Sequence, residues 1–224
     1  ISARYLTGTM PVSAGSLTTA PIFQFSTAFD MHGTIPSSFG SMSSLSSLSL
    51  ASCPLTGTIP PSLASLPLCA NKAITDGQLE GTIPPGFIAN AALIKHLEEK
   101  QELEGVWASI DVMMNNNHGL TGTLPADLST ATNIANFLLS VGSNRISGTL
   151  PEVLCSLGSS RLEVQVDTNL FSGTIPTCLG ASLDLTSPDY VLVGHNQLTG
   201  TVPGNFWWIN DLRHNLLTGT LPED

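Results

Sequence analysis

Residues 139–151 read LSVGSNRISGTLP, and the last four letters of this stretch return throughout the chain. The tetrapeptide Gly-Thr-x-Pro, in which x is Ile, Leu, Met or Val, occurs nine times in 224 residues. Successive copies are separated by 25, 24, 24, 41, 26, 25, 27 and 19 residues. Such a period predicts a solenoid of stacked units instead of a globule with one central core. The copies begin at Gly8, Gly33, Gly57, Gly81, Gly122, Gly148, Gly173, Gly200 and Gly219.

A strand pattern precedes most copies of the tetrapeptide. In the quoted unit, Leu139 and Val141 alternate with small or polar residues, which is the period of a strand with one buried face. An asparagine follows three residues later, and its amide can satisfy backbone groups of two neighbouring units. The predicted asparagine ladder is Asn144, Asn169, Asn196 and Asn215. In the other units the same position holds Arg4, Phe29, Cys53, Gly77 and His118.

The combined pattern LxLxxNxLxGxIP resembles the leucine-rich repeat in its plant-type form. The chain is similar in this respect to the ectodomains of receptor-like proteins and receptor kinases, and to leucine-rich-repeat surface proteins of protists. The resemblance implies an α/β fold, a right-handed solenoid with a parallel concave β-sheet and short helical or irregular convex segments. We expect one domain over residues 1–224 with about nine repeats, as a fragment of a longer chain.

The 41-residue interval predicts a helical insertion at about residues 85–109, with the helix itself over Ala89 to Glu104. Its apolar residues Leu93, Ile94 and Leu97 would face the body, and Lys95 and Glu99 are spaced for an i,i+4 ion pair. One interpretation is a lengthened convex helix, and the other is an acidic docking element. In the shortest interval, Phe206, Trp207 and Trp208 are predicted to pack in the core or to anchor a partner.

Composition and motifs exclude several function classes. A net charge of −10 argues against nucleic acid or an anionic membrane as a partner, and no run of 18 apolar residues predicts a membrane span. The sequence contains no catalytic motif, so we predict no enzyme activity and no cofactor. His195 and His214 occupy equivalent positions on adjacent units, and we interpret them as exposed imidazoles and predict no metal site.

Cysteine placement bears on the cellular compartment. Cys155 and Cys178 fall at nearly the same position of adjacent units, within disulfide reach, and their context resembles a cysteine pair common in plant receptor-like proteins. A disulfide there predicts an extracellular or cell-surface protein. The absence of any Asn-x-Ser/Thr glycosylation site argues in the other direction. Pairing of Cys53 with Cys69 stays open.

The resemblance also implies a binding function, because leucine-rich-repeat ectodomains commonly bind peptides or proteins on the concave sheet. A rigid, preformed face lowers the entropic cost of binding. The residues that we predict on this ligand-binding face are Arg145, Gln165, Asp167, His195, Gln197, Asp211, Arg213 and His214.

Two alternative functions remain open. A structural coat or filament component would contact copies of itself through its flanks and ends. An ice-binding protein would use the threonines on either side of each repeated glycine, because parallel columns of Thr resemble the flat faces of some antifreeze solenoids. Thr also favours strands and the motif is frequent in ordinary leucine-rich repeats, so the columns have a plain structural interpretation. The candidate ice face is Thr56, Thr58, Thr121, Thr123, Thr199, Thr201, Thr218 and Thr220.

Overall fold

A computed structural model describes residues 7–25, 30–105, 108–125, 134–157, 161–179, 190–204 and 209–221. Arg4, Phe29 and the aromatic run Phe206, Trp207 and Trp208 lie outside these ranges, so the predictions made for them stay predictions. Within the ranges, the strands in chain order are β1 (Thr7–Thr9), β2 (Ile22–Gln24), β3 (Asp30–His32), β4 (Ser47–Ser49), β5 (Thr56–Thr58), β6 (Asn71–Ala73), β7 (Gln78–Thr82), β8 (Ser109–Met113), β9 (Gly119–Thr121), β10 (Asn136–Ser140), β11 (Ser147–Thr149), β12 (Arg161–Gln165), β13 (Leu170–Gly173), β14 (Tyr190–Leu192), β15 (Gln197–Leu198) and β16 (Ile209–Asp211).

Every second strand contributes to one eight-stranded parallel sheet, which we call the main sheet. Its order is β16-β14-β12-β10-β8-β6-β4-β2, so each rung of the solenoid adds one strand beside that of the previous rung. Leu139 pairs with Val112 on one side and with Val164 on the other, and all three side chains are fully buried. The structure therefore confirms the predicted parallel solenoid, including strands at Phe23 and Ile110.

The remaining strands form three short parallel sheets along one flank of the solenoid. Their orders are β1-β3, β5-β7-β9 and β11-β13-β15, and a bridge between Thr34 and Thr56 links the first two. The repeated Thr-Gly-Thr segments lie in or beside these flank strands, with their threonines exposed in the described rungs.

The nine repeated glycines form a single aligned column of corners. Their φ angles lie between 74° and 107°, a left-handed conformation that glycine adopts without strain. A Cβ built on each glycine after the first would meet the methyl of the preceding corner's threonine at 2.7 to 3.1 Å. Gly122 stacks on Thr82 in this way, although 41 residues separate their tetrapeptides. The repeat assignment is therefore confirmed across the long interval as well.

The convex side carries short 3-10 segments, and the motif explains where they begin. They span Val12–Ser16, Ser37–Ser41, Pro61–Ser65 and Glu152–Ser156. Each starts directly after the proline of a Gly-Thr-x-Pro copy, whose ψ of 125° to 133° ends the extended segment. Because proline has no N–H group, it fits the start of a helical turn and not the inside of a ladder.

The insertion contains helix α1 (Ala91–Glu104), which begins two residues after the predicted start and ends at the predicted residue. Asn90 caps its first turn by accepting a hydrogen bond from the Leu93 amide at 2.9 Å, and Gly105 ends it at a φ of 65°. Leu93 and Ile94 are buried against the body, whereas Leu103 is 84% exposed. Among the residues that the structure describes, no helix has the length and apolar character to cross a membrane.

Candidate functional site

The asparagine ladder runs along the inner wall of the C-terminal rungs. The Asn169 side-chain amide donates to the Val141 carbonyl at 2.9 Å, and its oxygen accepts from the Ile146 amide at 2.9 Å. Both of these partners belong to the preceding rung, so one side chain joins two rungs. Asn196 and Asn215 make the same set of bonds.

The ladder also includes Asn117, and here our sequence register was wrong by one residue. Asn117, not His118, donates to the Ile74 carbonyl at 2.8 Å and accepts from the Leu79 amide at 3.3 Å. One extra residue separates Asn117 from Leu120, compared with the other rungs. The extra residue displaces the amide that the next asparagine would accept, and Asn144 Oδ1 is buried with no hydrogen-bond partner. The run of three asparagines at 115–117 was the sequence signal that the ladder position is Asn117, one residue before His118.

The eight predicted ligand-binding residues do not form one surface. Gln165 and Asp211 lie on strands of the main sheet, and Asp167 extends the same face by covering Gly142. Gln197 lies in a flank strand, which corrects its predicted place on the concave sheet. The other four, Arg145, His195, Arg213 and His214, lie on the turns that join the main sheet to the flank.

These turns share an unusual backbone conformation. In the seven rungs that are described at this point, the residue before the ladder position has a positive φ between 54° and 60° and is not a glycine. The side chains of these residues therefore lie at the rim of the sheet. Two of them, His195 and His214, were predicted on the concave strand face, and that placement is corrected here. The set is Ser52, Asp76, Asn116, Ser143, Thr168, His195 and His214.

Two side-chain pairs form at the C-terminal end of this rim. The imidazoles of His195 and His214 stack with centroids 4.3 Å apart. The Arg213 guanidinium donates to Asp211 at 3.0 and 3.1 Å, and this hydrogen bonding holds the pKa of Asp211 below its usual value. Arg213 is exposed, so water and salt screen the pair strongly.

Sequence reasoning missed the centre of the main sheet. The strands begin before the residues that we had used, and the register aligns a central row of Asn71, Asp111, Leu138, Glu163 and Tyr190. A depression of about 340 Å³ lies at the middle of this row, over Asp111, Leu138 and Glu163. It is lined by Ser109, Asp111, Asn136, Phe137, Leu138, Arg161 and Glu163.

Hydrogen bonds fix the polar side chains of the depression. Gln165 donates to one oxygen of Glu163 at 2.7 Å, and Arg161 donates to the other at 3.3 Å. Ser140 in turn donates to the Gln165 oxygen at 3.1 Å. Asp111 accepts from the Ser109 hydroxyl at 3.1 Å and forms no ion pair within the described ranges. The face is therefore ordered before any ligand arrives.

The structure joins Cys155 and Cys178 on the convex side by a disulfide, with an S–S distance of 2.02 Å and a Cα–Cα distance of 5.3 Å. Cys53 and Cys69 are both buried and are not joined by a disulfide, so the pairing that the sequence left open is absent. The described residues contain no group of three or more His, Cys, Asp or Glu side chains placed to hold a metal ion.

The threonine columns of the flank form bonds between rungs. Thr121 donates its hydroxyl to the Gly81 carbonyl at 3.2 Å, and Thr199 donates to Gly173 at 3.3 Å. The threonine after each of the first eight corner glycines instead places its methyl on the glycine of the next rung. Both columns thus have a structural role. The residues that precede the corner glycine and donate in this way are Thr56, Thr121, Ser147, Ser172, Thr199 and Thr218.

Comparisons with known proteins agree with this architecture. A family model described as Leucine Rich Repeat matches residues 44–66, and no curated protein matches the chain. The crystal structure of a TDR receptor is similar at a TM-score of 0.72 and 26% identity, over 97% of this chain and 34% of that one. The Arabidopsis receptor kinase HAESA ectodomain, in complex with an IDA peptide hormone ligand, is similar at 0.57 and 26%, over 93% and 37%.

A plant ice-binding protein is similar in fold alone, at a TM-score of 0.68 and 20% identity, over 100% of this chain and 74% of that one. The chain spans about a third of the length of the TDR receptor structure that it matches.

Proposed function

Because the chain is a leucine-rich-repeat protein of the plant type, we propose that it is a non-enzymatic binding module that holds a protein or peptide ligand on its main sheet. One observation carries this proposal. Eight parallel strands present an uncovered face on which polar side chains are already fixed by hydrogen bonds to one another. A face ordered before binding lowers the entropy lost on association.

Two further observations support a ligand-binding module outside the cell. The HAESA ectodomain was solved with a peptide hormone ligand, and it shares 26% identity with this chain. The disulfide between Cys155 and Cys178 suits an oxidising compartment. The ligand of HAESA belongs to that protein, and this chain covers 37% of it, so the proposal concerns the class of ligand alone.

Selection from a phage-displayed peptide library tests the proposal. Leu138→Arg places a large cation in the middle of the main sheet, and Leu103→Arg makes the same change at an exposed site on α1. We expect peptides selected on the wild type to lose at least about tenfold in affinity for the first variant and to bind the second normally. Selected peptides that bind both variants equally would place the ligand elsewhere and refute the proposal.

Ice binding is the second candidate, and the exposed threonines of the flank favour it. One observation argues against ice binding. The threonines that precede the corner glycines already donate their hydroxyls to backbone carbonyls, and His32 and Glu80 interrupt this column. An ice-recrystallisation assay compares the wild type with Thr123→Lys plus Thr201→Lys. Absence of inhibition by the wild type at high concentration ends this candidate.

A further inference from the structure

We propose that the central row binds an extended ligand segment carrying two basic side chains three residues apart. The inference rests on the proposed function, because it assigns the chemistry of the ligand on the main sheet. Along the row, neighbouring rungs present Asp111, Leu138, Glu163 and Tyr190 in register. Carboxylates and apolar side chains therefore alternate at the spacing of the strands.

The charge of the depression is complementary to a cation. Asp111 is half-buried and forms no ion pair within the described part of the chain. The Glu163 side chain is only 16% exposed. It forms an ion pair with Arg161, whose side chain is 51% exposed at the edge. Two carboxylates and one guanidinium leave a net negative charge in a partly desolvated place, where complementary charges contribute to recognition.

The spacing of the two carboxylates selects the ligand backbone. Strands in a sheet lie about 4.8 Å apart, so side chains two rungs apart are separated by about 9.6 Å. A polyproline II segment repeats its side-chain direction every three residues, which is about 9.3 Å. Such a segment, running across the strands, places basic side chains at i and i+3 on Asp111 and Glu163. Its apolar residues then contact Leu138 and Tyr190, which is 39% exposed.

Three synthetic peptides of identical composition test the inference. The first, Ac-Pro-Lys-Pro-Pro-Lys-Pro-amide, has the i,i+3 spacing; its isomers place the two lysines at i,i+1 and i,i+2. We expect calorimetry on the disulfide-bonded chain to show the first peptide binding at least about fivefold more tightly than either isomer, and more weakly as salt is raised. Asp111→Asn and Glu163→Gln should each abolish this preference.

Glu102→Gln on α1 is the matched control, because it removes the same charge from an exposed site outside the main sheet. Equal binding of the three isomers, or binding that survives Asp111→Asn, would show non-specific attraction to a chain of net charge −10 and overturn the inference. Absence of binding by all three peptides overturns it as well. Library-selected peptides that depend on the main sheet but lack this lysine spacing would leave the proposed function standing and refute the row chemistry alone.

Discussion

The N-terminal and C-terminal rungs join to their neighbours at different places. Among the C-terminal rungs, the asparagine ladder supplies the bonds along the inner wall. In the N-terminal rungs, Gly77 has no side chain at the ladder position, and Cys53 makes a weak thiol bond to the Phe25 carbonyl of the preceding rung at 3.9 Å. There the convex side takes over: Ser38 donates to the Val12 carbonyl and Ser62 to the Ser37 carbonyl, both at 2.7 Å. The solenoid therefore needs bonds between rungs, but it does not need them at one fixed position.

The two halves also differ in what their main-sheet strands present. The first strands expose uncharged residues such as Ser47, Ser49 and Ala73. The later strands expose the charged residues of the depression, including Asp111 and Glu163. The half whose inner wall is held by asparagine is thus the half that carries a candidate binding surface. Four predictions, from the largest expected effect to the smallest, test this contrast.

Asn169→Ala should destabilise the fold most. It leaves the Val141 carbonyl and the Ile146 amide without their partner in a buried wall, at an expected loss of about 3 kcal/mol in the free energy of unfolding. Cys53→Ala changes the same position of an N-terminal rung and should cost only about 1 kcal/mol. Urea denaturation measures both variants. Equal losses would contradict the difference between the halves.

Gly40→Ala tests the convex contacts of the N-terminal rungs. A Cβ at Gly40 would lie 2.5 Å from the Ser62 carbonyl oxygen, so the two 3-10 segments would have to separate. We expect a loss of about 2 kcal/mol in unfolding free energy. Gly204→Ala is the control, since a Cβ there meets nothing within 4 Å. A neutral Gly40→Ala would mean that the close packing of these segments does not stabilise the fold.

Lys72→Met should remove a pH dependence that belongs to the N-terminal half. Lys72 is 1% exposed, donates to the Cys69 carbonyl and lies 5.6 Å from the Phe87 ring centroid. Burial lowers its pKa, an effect that interaction with Cys69 partly offsets. Because the unfolded chain then binds more protons, wild-type stability rises with pH until the ordinary lysine pKa is reached.

We expect the Met variant to be more stable than the wild type at pH 7 by about 1–2 kcal/mol, and we expect this gain to shrink as the pH is raised from about 6 to 8. The range ends at about pH 8 because burial raises the pKa of the folded Cys69 thiol, and above that pH the thiol of the unfolded chain begins to ionise and would add its own slope. Thermal denaturation across the range measures the effect. Parallel pH profiles for the two proteins would show that Lys72 does not cause the dependence.

Deletion of His118 should repair the break between the two halves. It restores the common spacing between Asn117 and Leu120 and returns a backbone amide to Asn144 Oδ1, which is buried without a partner. A gain of about 1 kcal/mol is expected. A double-mutant cycle provides the control: Asn144→Ala should cost more in the deletion background than in the wild type. Equal costs would mean that the hydrogen bond did not form.

The repeat period and the corner structure were predictable because the Gly-Thr-x-Pro tetrapeptide occurs nine times in the sequence. Glycine at positive φ, threonine on glycine and proline before a convex turn all recur with the tetrapeptide. Features that occur in one rung alone were harder to predict. The extra residue after Asn117 has no repeat to average against, and Lys72 occupies an inward position where the pattern expects an apolar residue.

The candidate site was predicted less well than the fold for a related reason. The recurring residues of the repeat pattern lie at the end of each main-sheet strand, so our prediction of the site concentrated on residues near the asparagine. Leu138 and Glu163 lie earlier in their strands, where the pattern has only variable positions. Their alignment depends on register between strands, which a single sequence does not give across intervals of unequal length.

The contact between Gly122 and Thr82 also has a practical meaning. Pitch along the solenoid is set where these two residues touch, and the chain between them can be short or long without altering it. Foreign segments, such as a fluorescent domain or an affinity tag, can therefore be inserted near the exposed Leu103 at the end of α1, while Leu93 and Ile94 stay in the core and the rungs on both sides keep their stacking.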